Sequence, residues 1–464
     1  MNCLLQRNLR PSQRGSVLII VLWIAFGLVS IALYFANSMT FELRGSDNRV
    51  AGQQAEQAID GAMRYVNYLL TNLPTNGFAP DLKTYLSTAV PVGDSYFWLI
   101  GRTNQPLALD EPAFGLIDEA SKLNLNTATL EMLQLLPGMT AQLAAAIIDW
   151  RDTDSAVTAG GAESQTYSTL SPAYNCKNAP FETVDELRLV YGATLEILYG
   201  EDTNLNGVLD PNENDGTVSL PIDNQDGRLD PGILEYVTVY SREANRRTNV
   251  NNVPQLTALL RQNLDNTRAT QILRRIGVTQ PGGPGGGRGG GAGGGPPVVP
   301  TVTPPIRSVL EFYIRSGMTA DEFAKIESSI SATNSTSISG LINVNTASEA
   351  VLACIPGIGV EKAPSFTAFR QSNPSRLNSI SWVSEVLDRA GAIRAGPYLT
   401  ARSYQFTADV AAVGQHGRGY RRERFVFDTT AGVPQIIFRK DLSGLGWALG
   451  KRVRQQLLLA KDTR

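Results

Sequence analysis

The densest chemistry in this 464-residue chain lies in twelve residues, Asp202-Thr-Asn-Leu-Asn-Gly-Val-Leu-Asp-Pro-Asn-Glu213. Side-chain oxygens fall at positions 1, 3, 5, 9 and 12, from Asp202, Asn204, Asn206, Asp210 and Glu213. Gly207 permits a sharp turn, and Val208 offers a backbone carbonyl. A hard cation takes about six to eight oxygens, and this spacing wraps them round one point. The predicted ligand is Ca2+; the plainer alternative is a solvated turn rich in Asx residues. A second acidic stretch offers Asp223, Asn224, Asp226 and Asp230, with Glu235 beyond. It breaks the pattern, because counting back from Gly227 puts Ile222 at the first position unless Asp223 substitutes.

Other chemistries are poorly supplied. One histidine, His416, and three cysteines, Cys3, Cys176 and Cys354, argue against histidine acid/base catalysis, a Cys/His zinc site and a disulfide-dense scaffold. Cys176 and Cys354 could pair or stay as two thiols, which distance decides. Paired acids could serve a hydrolase, but metal-loop spacing accounts for them, so no enzyme is expected. The formal net charge of -2 offers no large grip on phosphate.

The elements that must carry these loops begin at the N-terminus. Arg7, Arg10 and Arg14 precede Gly15, and Ser16 opens an uncharged apolar run to Ala36. About 20 helical residues span a bilayer, and the basic flank stays cytoplasmic. Ala51, Ala55, Ala58, Ile59, Ala62, Met63, Val66, Leu69 and Leu70 then recur at helical spacing, with no proline between Arg14 and Leu73. One helix therefore leaves the membrane and continues into a soluble head. This resembles the type IV pilin stem, which implies cleavage between Gly15 and Ser16 by a prepilin peptidase and methylation of Ser16. Pilins of that kind carry glutamate at the fifth mature position; here it is Ile20, and an aliphatic cannot greet a neighbour's amine.

Strands are expected at 95–102, 114–118, 235–240, 403–410 and 424–428, and helices over 127–200 and 305–395. The Pro/Gly tract 281–305 reads as a spacer. A phrase repeats: Leu123-Asn-Leu-Asn-Thr-Ala128 leads to Leu136-Pro-Gly-Met139, and Ile342-Asn-Val-Asn-Thr-Ala347 leads to Ile355-Pro-Gly-Ile-Gly359. Thr248-Asn-Val-Asn-Asn252 is a weaker third start. Thr346 with Glu349 predicts a capping box. The pattern resembles the helix-hairpin-helix unit, whose turn amides often bind DNA backbone. Met139-Thr140 replaces a second glycine in the first copy, and Glu349 and Glu361 offset Lys362. Nucleic acid is not an expected partner, though a membrane-anchored periplasmic DNA-uptake protein remains the alternative.

The stretch Asn175-Cys-Lys-Asn-Ala-Pro-Phe-Glu-Thr-Val-Asp-Glu-Leu-Arg-Leu-Val-Tyr-Gly192 resembles the minor pseudopilin K family of type II secretion. So do Thr238 to Ser241 and Phe438 to Leu449. The resemblance implies an α+β fold: a long N-terminal transmembrane helix packed, as in pilins, on a small antiparallel β-sheet, with inserted helix-hairpin-helix or SAM-like domains. Calcium in the 202–235 region is also implied by it. It further implies a role at the pseudopilus tip. The partners would be other minor pseudopilins and the inner-membrane assembly platform, with the anchor in the inner membrane and the head in the periplasm. The expected divisions are a leader 1–15, membrane and stem helix 16–72, first β-part 73–118, and an inserted α-domain with calcium loops 119–232. A pilin strand and second helical segment at 233–280, linker 281–305, helix-hairpin-helix region 306–400 and C-terminal β-region 401–464 follow.

Overall fold

The computed structural model describes residues 16–73, 77–102, 111–279 and 300–462. Helix α1, Ser16–Thr71, runs unbroken for 56 residues, about 84 Å at ~1.5 Å per residue. Residues 17–50 are exposed throughout, and the apolar window within them has a mean hydropathy of 2.7. From Ala51 onward the helix packs. Ala55, Ala58, Ile59, Ala62, Val66 and Leu70 are buried, with Met63 and Leu69 at the edge, as their spacing predicts. The alanines bring the backbones close: a Cβ on Gly419, at φ +69°, would lie 2.2 Å from the Ala51 carbonyl carbon.

The stem lies on a six-stranded antiparallel sheet. Its strands are β1 (Val90–Val92), β2 (Ser95–Ile100), β3 (Ile117–Asp118), β4 (Gln405–Val413), β5 (Arg421–Asp428) and β6 (Gln435–Asp441). The order is β1-β2-β4-β5-β6, with β3 beside the start of β4. Gly93, at φ +59°, turns β1 into β2. Side chains alternate across β4. Phe406, Ala408, Val410 and Ala412 face the helix, while Ala411 and Val413 meet Trp98, Ile100, Ala448 and Leu449. Between the two halves of the sheet, residues 119–404 form a helical insert with its own continuous core. This is the α+β arrangement expected from the sequence.

Inside the insert one device occurs three times. Leu123–Asn124, Thr248–Asn249 and Ile342–Asn343 are two-residue strands, paired in parallel with Val237–Thr238, Ile330–Ser331 and Leu399–Thr400. In each, the first asparagine's Oδ1 accepts the N–H two residues on, at Asn126, Asn251 and Asn345 (2.9, 2.8 and 2.9 Å). The second asparagine's Nδ2 then donates to a distant carbonyl: Phe181, Ile306 and Leu377 respectively. A helix pair follows each clamp: Leu130–Gln134 with Ala141–Arg151, Val253–Asn263 with Asn266–Arg275, and Glu349–Ala353 with Gly359–Ser372. The weaker third start is thus a full copy.

Several expectations change. Val237–Thr238 closes the first copy and does not join the pilin sheet, because its hydrogen bonds go to Leu123–Asn124. The 233–280 division therefore holds no pilin strand. The spacer begins and ends inside the second copy: Val278–Thr279 pairs with Thr301–Val302, and residues 280–299 lie outside the described residues. The Thr346–Glu349 capping box is not formed. Ser348 caps that helix through Val351 N–H, while Thr346 Oγ1 donates to Asp118 Oδ2 at 2.5 Å. The C-terminal region carries β6, which lies outside the strands expected from sequence, and includes the helix Gly450–Asp462.

Asp118 and Glu119 join the layers. Asp118 Oδ2 accepts from Asn343 and Thr346 of the third copy and from Ser403 beside the sheet, and Oδ1 accepts Ala120 N–H. Glu119 accepts from Thr238 of the first copy and from Thr407 on β4. Burial pushes the Asp118 carboxyl up from 3.8 to about 6, against these donors. A folded pKa above the unfolded one favours folding fully below 3.8, an advantage lost as pH rises through 6. Asp118→Asn in the detergent-solubilised protein should remove that slope. The wild type's denaturation midpoint relative to the variant's should fall between about pH 4 and 6, and a pH-independent difference would contradict it.

Candidate metal centre

Both acidic loops hang from one closed neck. The helix Leu195–Tyr199, capped by Thr194, ends at Gly200 with φ +60°. Gly200 bridges Pro231, Glu201 N–H donates to the Asp230 carbonyl at 2.9 Å, and Gly232 N–H to that of Tyr199 at 2.9 Å. A Cβ on Gly200 would stand 2.2 Å from the Asp230 carbonyl oxygen, so only glycine fits there.

In the first loop hydrogen bonds link the predicted side-chain donors to one another and to the turn. Asp202, Asn204, Asn206 and Glu213 are all buried. Asp202 accepts from Asn206 and Gly207 N–H, both at 2.9 Å, and Asn206 Oδ1 accepts Val208 N–H at 2.7 Å. Asn204 and Asn206 Nδ2 donate to Asp210 Oδ2, at 2.7 and 3.0 Å. Glu213 Oε1 accepts Thr203 N–H, and its Oε2 accepts Asp210 N–H, both at 3.0 Å. Backbone hydrogen bonds of this kind belong to a plain Asx turn as well. What separates the two readings is burial. Asn204 Oδ1 is buried and accepts no hydrogen bond from the protein. Burial pushes the Glu213 carboxyl up to about 7 and also raises that of Asp202. Desolvated carboxylates around an unpaired oxygen are costly without a cation, so this all-oxygen set fits a hard ion.

The loop is clamped to the sheet by two arginines. Arg422, with no exposed side-chain surface, grips Asp409 through Nε and Nη2 at 2.7 and 2.8 Å. Its remaining donors reach the carbonyls of Asn204 and Leu205. Arg102 Nη2 also donates to the Leu205 carbonyl at 3.1 Å, while its Nε meets Glu235 at 2.7 Å. Arg424 adds a second cation on Asp409 at 2.7 Å, and the Asp409 carboxyl is held well below the usual range by these guanidinia despite burial.

The second set divides. Asp223 Oδ2 accepts from Asp215 and Gly216 N–H, Asn224 Nδ2 donates to Asp230, and Asp226 accepts Arg228 N–H. Glu235 is engaged by Arg102 instead. Glu201, outside the set expected from sequence, joins this loop by accepting Asn224 and Asp230 N–H. Cys176 and Cys354 are free buried thiols, so the bridge left open by the sequence is not made. Burial pushes them up to about 11 and 12. Ser16 is the first residue of α1, Ile20 lies on its exposed stretch, and Gly15 falls outside the described residues. At the third copy's hairpin turn, Ile358 and Gly359 N–H both donate to the Ile355 carbonyl. Those amides are spent within the fold, which works against a phosphate contact there.

Residues 118–199, from the Asp118 junction to the neck of the loops, match the family model for type II secretion system (T2SS), protein K. That stretch of the chain is thus similar to the first part of type II secretion system protein K. Relatives of that name also resemble the chain in sequence. The protein K of Aeromonas hydrophila is 30% identical over 208 residues, which are 40% of this chain and 60% of the relative. That of Pectobacterium carotovorum subsp. carotovorum is 26% identical over 196 residues, again 40% and 60%. The Klebsiella pneumoniae protein is 42% identical over 66 residues, 14% of this chain and 20% of the relative. The matches thus span at most 60% of these relatives' length. Among solved structures, one chain of the GspK-GspI-GspJ complex from the enterotoxigenic Escherichia coli type 2 secretion system aligns over 86% of this chain and 98% of its own length. The TM-score is 0.37 and the identity 11%. The matched stretch ends at Tyr199, so both acidic loops lie beyond it.

Sequence reasoning missed Asp409, Arg422 and Arg102. The signal was available in part: a carboxylate within the apolar strand Phe406-Thr-Ala-Asp-Val-Ala-Ala-Val413 needs a buried partner. Removing it tests the clamp. Asp409→Asn leaves Arg422 buried and under-paired and should destabilise the head by about 3–5 kcal/mol in chemical denaturation. A loss below about 1 kcal/mol would show that the pair holds nothing together.

Proposed function

We propose that this chain is a minor pseudopilin of a type II protein secretion system, anchored in the inner membrane with its head in the periplasm, at the tip of the pseudopilus. One observation carries the reading: a stretch similar to protein K is inserted into a sheet that packs on the second half of a helix whose first half is bare and apolar. About 20 such residues cross a bilayer, and Arg7, Arg10 and Arg14 before them favour a cytoplasmic N-terminus. Ile20 brings no carboxylate to meet a neighbour's amine, which suits a subunit that starts or caps a stack. The three-copy insert makes the head broad, which suits a position with no subunit above. The proposed partners are other minor pseudopilins and the inner-membrane assembly platform, with prepilin peptidase as the processing enzyme. The role is structural. Ca2+ is proposed for the 202–213 loop, where it would brace the insert against the sheet through Arg422 and Arg102.

Mass spectrometry of the mature protein should find Ser16 at the N-terminus, methylated, and deletion of the gene should strand secreted cargo in the periplasm. An uncut leader, or a cut near residue 40, would overturn the reading. For the metal, chelation should lower the melting temperature. Calcium at about 100 times its Kd would be worth about 2.7 kcal/mol. Asp202→Ala with Glu213→Ala should abolish this loop's share. An unchanged calcium response in that double variant would remove the ion from the loop.

A further inference from the structure

A second group of oxygens lies some forty residues earlier in the chain, at the end of the helix Ala141–Arg151. Asp149 projects from its last turn, Asp152 and Asp154 follow it, and the chain returns through Gly161 to Glu163. One carboxylate oxygen from each of Asp152, Asp154 and Glu163 lies within 4.8 Å of the others. Asp149 is 0% and Glu163 4% exposed.

The hydrogen bonds leave the cluster half-satisfied. Thr158 N–H donates to Asp149 Oδ1 at 3.0 Å, and Ala156 N–H to Asp154 Oδ1 at 2.8 Å. Asn178 Nδ2 donates to the Asp154 carbonyl at 2.6 Å and to Glu163 Oε2 at 3.4 Å. These contacts orient the groups and leave other oxygens unused. Asp149 Oδ2, Asp152 Oδ1, Glu163 Oε1 and Asn178 Oδ1 are buried and accept no hydrogen bond from the protein. They are four of the six such side-chain atoms among the described residues, so the deficit is concentrated in one place. An unpaired buried polar atom costs about 1–3 kcal/mol, and more when charged.

Among the described residues no cation forms an ion pair with the cluster, although the Arg151 charge favours the ionised form of Asp152. Arg151 turns to the carbonyls of Leu125 and Ala128, and Lys177 pairs with Glu182 and Glu186. Among the described residues, none of the four carboxylates is in a salt bridge with a lysine or arginine. Gly161 makes the approach possible: a Cβ there would lie 2.1 Å from Asp149 Oδ2.

We propose that Asp149, Asp152, Asp154, Glu163 and Asn178 form a second divalent-cation site, built for a hard ion of the calcium type. Every donor is oxygen, which suits calcium over softer metals. The nearby Cys176 thiol is directed at the Asp149 carbonyl instead. A bound ion would tie the end of the helix to the N-cap of the short helix Ser164–Tyr167 at Glu163 and to the segment that begins at Asn175. The site shares no residue with the 202–213 loop and does not depend on the chain's role in secretion.

Terbium is the probe, because Trp150 sits beside Asp149 and sensitises its emission. In the full-length protein in detergent, tryptophan-excited terbium emission should be displaced by calcium, and much less readily by magnesium. Asp152→Asn with Asp154→Asn should weaken terbium and calcium at this site at least tenfold, with the 202–213 site intact. Asp202→Ala with Glu213→Ala should do the reverse. Since Asp154 is exposed, folding of Asp154→Asn alone should be unaffected, and that variant should still bind less tightly. In chelator both variants should melt no lower than wild type, because they relieve repulsion. Unchanged affinity in both variants, or a lower melting temperature in chelator, would show that the cluster is a purely hydrogen-bonded loop and overturn the proposal. Equal displacement by magnesium would overturn its calcium-type selectivity.

Discussion

A guanidinium without any exposed surface sits where three parts of this protein meet. Arg422 leaves the middle of the sheet, neutralises Asp409 on the neighbouring strand, and spends its remaining donors on two carbonyls of the acidic loop. A buried arginine is tolerable only when its charge is matched and its N–H groups are used. The position of the loop is therefore tied to the sheet register that brings Asp409 opposite Arg424 and close to Arg422. Arg102 repeats the arrangement from just beyond the end of β2, with Glu235 as its counter-ion. The loop is thus held as part of the sheet's own polar face.

The insert obeys a second constraint. Each of its three copies begins with a two-residue parallel pairing and an asparagine clamp, and only then a helix pair. Two-residue strands cannot stand alone. They persist because Asn124, Asn249 and Asn343 satisfy the turn from within, while Asn126, Asn251 and Asn345 bind a segment more than thirty residues away. The copies tolerate large interruptions, the acidic loops in the first and the Gly/Pro tract in the second, because each insertion leaves and re-enters through a closed neck. At Gly200–Pro231 and at Val278–Val302 the two ends are held side by side.

Much of this was legible in advance. The period of Ala51 to Leu70 marked the buried face of the stem. The oxygens of residues 202–213 marked a loop tied together by its own hydrogen bonds, and the Leu-Asn-x-Asn phrase marked repeated units. The misreadings share a cause. Glu235 to Tyr240 has strand-like composition, yet only Val237 and Thr238 pair, and in a different sheet. Thr346 has cap-like chemistry, yet a buried carboxylate more than two hundred residues away takes its hydroxyl. Local propensity ranks what a segment can do; long-range partners choose among the options.

The sequence by itself determined periodicity, donor spacing and the bare apolar half of the first helix, because these depend only on neighbours a few residues apart. Tertiary structure alone decided which charges would be buried together. Asp118 meets Asn343 and Ser403, Asp409 meets Arg422, and Asp152 and Asp154 gather with Glu163. Such groups are held in place by the cost of stripping water from a charge, and that cost exists only once the chain has closed around them.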